Sequence, residues 1–319
     1  MKKLLLALVL LAGSILPSMA QNYGDRNKSK DSLLETNAIS LAVERGARDF
    51  LVYKSFESDT MQTLNLLLKN AKEDDWKAID DDTIQTVINL SVTHMHDISF
   101  VKFLIDNGMP LSEYNRYIKS TKIRMQEAND IMGMLTSDFA YYYGEDLKIG
   151  EDILTLFMDN VVEKTALDFF KNEDYDSEYM NLLKNMLKDS ENWKFISDSM
   201  IGNLVTLSAP FIEFLVDNLG MPESEINRYL TIAQEKKDEI SRTFKEMGSV
   251  EAEEAFSIRE YETCEDVLEL LNQVKKEKMY EKMSEVDANI DRILRENREK
   301  KMQQLEQEYN QRYNQIYSY

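Results

Sequence analysis

The chain of 319 residues sets 38 Lys and Arg against 58 Asp and Glu, a formal net charge of −20 at pH 7, with 43% hydrophobic residues, one cysteine and two histidines. A field of that sign repels phosphate backbones and anionic lipid headgroups, so nucleic acid and charged membrane surfaces are excluded as expected partners. Cations, neutral glycans and proteins with a basic or mixed patch remain, and the lone Cys264 forms no disulfide within the chain.

The N-terminus reads as a secretory leader. Lys2 and Lys3 form a basic start, Leu4 to Leu16 is an apolar run, and Ser18-Met19-Ala20 is a small-x-small cleavage site. The alternative reading is an uncleaved anchor. Without the two lysines, 36 basic residues face 58 acidic ones, which makes the charge −22. No cysteine stands at the cleavage point, so no lipid anchor of the bacterial lipoprotein kind is expected, and no later stretch reaches transmembrane length. The expected address is the periplasm or the extracellular space, with no integral membrane segment after cleavage.

Residues 21–31 are polar and aperiodic, a flexible lead-in. Order is predicted from Ser32, where S-L-L-E has the form of a capping box. A second helix starts at Ser58-Asp59 and is expected to end at the acidic Glu73 to Asp75. A third follows Asp80-Asp81-Asp82, with the last of these as its cap, and a fourth covers Ile98 to Asn107. Gly108 and Pro110 stop that helix, and Ser112 begins a long one running to about Leu135. Beyond Tyr141-Tyr142-Tyr143 and Gly144 a further helix is predicted to open at Glu151.

The plan then repeats. F-V-K-F-L-I-D-N-G-M-P-L-S-E-Y-N-R-Y from Phe100 returns as F-I-E-F-L-V-D-N-L-G-M-P-E-S-E-I-N-R-Y from Phe211, with 13 of 18 aligned positions identical. The Trp76 segment returns at Trp193, the Val43 segment at Val162 and the Glu151 segment at Glu265. Self-similarity of this kind is the mark of repeat architecture. The predicted fold is therefore all-α, a solenoid-like helical repeat array: signal peptide 1–20, lead-in 21–31, repeat unit 32–158, repeat unit 159–276 and a charged C-terminal helix 277–319. That last helix carries a thin apolar stripe including Val286, Ile290, Ile293, Met302 and Leu305, interrupted by Asn297. It either caps the second unit or projects as an arm for a coiled coil, self-association included.

T-V-I-N-L-S-V from Thr86, followed by F-V-K-F-L-I-D-N-G ending at Gly108, resembles the ankyrin repeat pattern, with Thr86, Ile88, Ser91, Leu104 and Ile105 at matching positions. Val87 and Asn89 stand where that pattern has proline and histidine. The resemblance covers about 25 residues of the first unit and implies a binding scaffold with no catalytic residues.

Three groups of residues are candidates for a site. Asn115-Arg116-Tyr117 and Asn227-Arg228-Tyr229 start equivalent helices. They either hold a carboxylate or sugar, or tie each helix back to Asp106-Asn107 and Asp217-Asn218. His94, His96 and Asp97 are candidate metal ligands in a loop the second copy lacks, the alternative being a solvated loop. The acidic runs lack a calcium-loop pattern, and no nucleophile elbow, P-loop or dinucleotide fingerprint occurs. The functional expectation is an exported binding or scaffolding protein with a protein partner and no cofactor. The rival expectation is a binder of a small ligand, carbohydrate or metal, or a hydrolase with paired carboxylates, its site between the two units.

Overall fold

The computed structural model describes residues 29–134, 137–172, 176–247 and 258–317; the leader and residues 21–28 of the lead-in lie outside the described residues. The described chain is all-α, and among the described residues there is no strand. It divides into two compact units after Met200.

In the first unit, α1 (Ser29–Tyr53) buries Val43, Ala47 and Phe50 on one face. It is helical from Ser29, so Ser32 lies inside its first turns and not at a cap. Gly46 faces the Leu64 side chain so closely that an added Cβ would collide with it, which lets α2 (Asp59–Lys69) lie near. Ser58 caps α2 by accepting from the Met61 amide at 3.2 Å. Glu73 to Asp75 do not end α2. They open a short helix of their own, α3 (Glu73–Lys77), because Asp75 turns back to accept from the Lys72 amide at 2.7 Å. Trp76 on α3 is fully buried.

The cap of α4 (Asp81–Asn89) is Asp80, the first aspartate of the run and not the last. Its backbone is extended and its Oδ1 accepts from the Thr83 amide at 2.7 Å. A π-helical turn, Leu90–Met95, follows and ends at His96, whose φ is 48°. After α5 (Ser99–Asp106), Gly108 adopts φ 92°; its amide donates to Ile105 O at 3.0 Å and the Met109 amide to Leu104 O at 3.3 Å, the Schellman closure that favours glycine.

The long helices α6 (Leu111–Met134) and α7 (Ser137–Asn172) carry the rest of the first core. α7 is continuous for 36 residues, so no new helix opens at Glu151. Gly150 is a point of close approach: a Cβ there would come within 2.8 Å of Met125 Sδ. α8 (Glu178–Leu187) and a 3₁₀ turn (Ser190–Phe195) follow, and α9 (Asp198–Leu207) contains the boundary between the units.

In the second unit, α10 (Ala209–Asp217) is capped by Ser208, which accepts from the Phe211 amide at 3.2 Å. Gly220 takes φ 68° before α11 (Glu223–Met247). α12 (Ile258–Tyr317) is a single helix of 60 residues, about 90 Å at ~1.5 Å per residue. Its first turns bury Cys264, Val267 and Leu271, and it packs against α11, which buries Ile226, Tyr229 and Ala233. Lys278 reaches the Met221 carbonyl at 2.9 Å, and from Met279 to Gln307 every side chain is exposed. Among the described residues no single helix is long and apolar enough to cross a membrane.

Candidate functional site

The first Asn-Arg-Tyr tripeptide occupies the second turn of α6. Asn115 is exposed, while Arg116 donates through Nε to Asp81 at 2.9 Å, through Nη1 to Glu113 at 2.6 Å and through Nη2 to the Ile79 carbonyl at 2.7 Å. The partner is thus the start of α4 and not the end of α5: Asn107 instead closes on the Phe103 carbonyl at 2.8 Å. Tyr117 is fully buried beside Phe157, ring centroids 6.2 Å apart, and its Oη has no hydrogen-bond partner among the described residues. Burial pushes its phenol above the ordinary tyrosine value. Tyr114, one turn earlier, donates to Asn160 of α7 at 2.7 Å. In the second copy Asn227 is exposed, Arg228 binds Glu225 at 3.1 Å and Tyr229 is buried. In each tripeptide the asparagine is exposed, the arginine half-buried and the tyrosine buried.

The histidine loop builds a charge cluster. Ser91 and Phe100 are nine positions apart while their counterparts Ser208 and Phe211 are three apart, and the π-helical turn, which begins at Leu90, runs into the longer interval. His96 stands with Nδ1 3.0 Å from Glu145 and Nε2 3.5 Å from Asp146. Arg124 holds Asp146 from the other side at 2.8 Å and donates to Thr93 Oγ1 at 2.9 Å. Asp97 does not join this cluster; its Oδ1 accepts from the Ser99 amide at 2.8 Å. His94 is exposed on the π-helical turn. Among the described residues no group of three or more His, Cys, Asp or Glu is arranged to hold a metal ion.

The third feature was not visible from motifs. Lys122, Met125, Gln126 and Asn129 recur at helical spacing along one face of α6 and line an open cleft of about 300 Å³ with Leu147 and Leu154 of α7 and the segment Asp189 to Phe195. Met125, Leu147, Leu154 and Phe195 are its apolar lining, and the amides of Gln126, Asn129 and Asn192 are among its polar groups. Lys122 donates to Asn192 Oδ1 at 2.9 Å and lies 3.7 Å from Asp189. Lys194 lies 3.7 Å from Glu151, with its ammonium 5.0 Å above the Phe195 ring. An apolar lining with a few amides and both signs of charge accepts a neutral or mixed ligand better than a strongly charged one. Its signal in sequence is only the spacing of four residues in α6, because the other lining groups come from distant segments.

No family model matches the chain, and neither a curated protein nor a solved structure is significantly similar to it.

Proposed function

We propose that the chain is an exported helical-repeat binding protein whose cleft between α6, α7 and the 3₁₀ turn receives an extended segment of a partner protein. The observation that carries this reading is the pairing of an apolar lining with amide groups in one cleft. Side chains of a bound segment would enter beside Met125 and Phe195 while its backbone meets Gln126 and Asn129. Lys122 and Lys194 offset Asp189 and Glu191, so the cleft suits a segment of mixed charge in spite of the acidic whole.

The repeat reading draws support from burial. Trp76, Ile79, Phe100, Leu104 and Tyr117 in the first copy, and Trp193, Ile196, Phe211, Leu215 and Tyr229 in the second, are all at most 1% exposed. The turn glycines Gly108 and Gly220 both take positive φ. On this reading α7 closes the first copy and opens the second, and the ankyrin-like segment is one helical pair within the array.

Display of a peptide library against the full protein tests the function. Selected peptides are expected to bind the parent and to lose at least about tenfold in affinity for Asn129→Trp, which fills the cleft from an exposed position. Equal binding to a folded Asn129→Trp variant would overturn the assignment. For export, the secreted or periplasmic protein is expected to begin at Gln21; recovery of the full-length chain in the cytoplasm alone removes that part of the proposal.

A further inference from the structure

The distal part of α12 exposes a run of large apolar side chains that the rest of the unit leaves uncovered: Met279, Met283, Val286, Ile290 and Ile293 are each about half exposed. Their spacings alternate between four and three, which is a heptad seam with Met283 and Ile290 at position a and Met279, Val286 and Ile293 at position d. Asn297 then falls on the next a position, so it belongs to the seam it interrupts.

We propose that this arm pairs with a second copy of the chain as a parallel, in-register, two-stranded coiled coil over residues 279–301. The charges suit a second copy, and Asn297 sets the direction. In a parallel pair each g residue meets the e residue five positions later on the other chain, which sets Glu296 against Lys301 and Lys282 against Asp287, opposite signs in both cases. Lys282 also binds Glu223 within its own chain, so the Glu296–Lys301 pair is the sharper determinant. Asn297 meets its own equivalent across the axis, where two amides satisfy each other and fix the register. The antiparallel alignment that covers the same apolar residues sets Asn297 against Met279 and Asp287 against its own equivalent, an unpaired amide and a like-charge contact. Lys300 and Gln304 occupy the next d and a positions, which ends the seam.

Sedimentation equilibrium of the full chain is expected to give a dimer, with the dissociation constant raised at least about 100-fold by Ile290→Asp. This residue is exposed in the single chain, so the variant is expected to keep its helical content. Glu296→Lys and Lys301→Glu are each expected to weaken the dimer, and the double exchange to restore it. Asn297→Cys is expected to cross-link to itself under mild oxidation, a clean reading because Cys264 is buried. A monomer at about 100 μM, a dimer indifferent to Ile290→Asp, or a dimer in which the double exchange fails to restore affinity and Asn297→Cys fails to cross-link would each overturn the proposal.

Discussion

Arg116 Nε lies 2.9 Å from Oδ1 of Asp81, which fastens the beginning of α6 to the beginning of α4 across 35 positions of sequence. The same guanidinium is the cation beside Glu113, whose side chain is only 2% exposed. Removing it takes the ion-pair partner from a carboxylate held in the interior. Arg116→Met is therefore expected to cost about 3 kcal/mol in urea unfolding, and the double variant Arg116→Met/Glu113→Gln to recover at least about half of that. A double variant no more stable than the single one would show that the pair carries little of the cost.

Asp80 makes the stability of α4 sensitive to acid. The Thr83 amide at its carboxylate is the main cause holding the Asp80 carboxyl below the ordinary value. A depressed value in the fold means the contribution is present above the unfolded aspartate range and disappears as pH falls through the folded value. Asp80→Ala is expected to lose about 1 kcal/mol at pH 7. The gap from the parent closes below about pH 4, as read by urea titration at each pH.

Gly150 permits the contact between α6 and α7 at Met125. Gly150→Leu is expected to destabilise the protein by about 2 kcal/mol because the new side chain enters an occupied volume. Met125→Ala in the same chain is expected to return part of that loss. Thermal melts of the two single variants and the double variant supply the comparison, and additive losses would count against steric overlap.

Cys264 is fully buried on the packed face of α12, and burial pushes its thiol up to about 11. A thiol held neutral and out of solvent reacts slowly with disulfide reagents. At pH 8 its modification is expected to proceed no faster than unfolding, while in denaturant it completes at once. A fast phase in native buffer would contradict the burial.

Punctuation that acts locally is legible in the sequence. Gly108 and Gly220 were readable as helix stops because a left-handed residue before proline is a property of a few neighbouring positions, and both take positive φ. The all-α class followed from the spacing of apolar residues in the same way. What could not be read depends on distance along the chain. His96 finds Glu145 and Asp146 about 50 positions away, and Arg116 chooses Asp81 over the nearer Asp106. Gly150 precedes Glu151, where the spacing predicts a helix start, but only Met125 across the helix pair explains a glycine inside what is a continuous helix. The cleft escaped for the same reason, since α6 supplies one wall and two later segments supply the others.

The unbroken run of α7 imposes a constraint on how this gene can change. Asp146 meets Arg124, Gly150 meets Met125 and Asn160 meets Tyr114, so three appointments with α6 are kept by one rigid screw. One inserted or deleted codon between Gly150 and Asn160 turns everything beyond it by about 100°, swinging the later partners away from α6. A change of about seven or eleven residues restores the phase but moves the later partners by at least about 10 Å along the axis, so length variation is expected to accumulate elsewhere and to spare this helix.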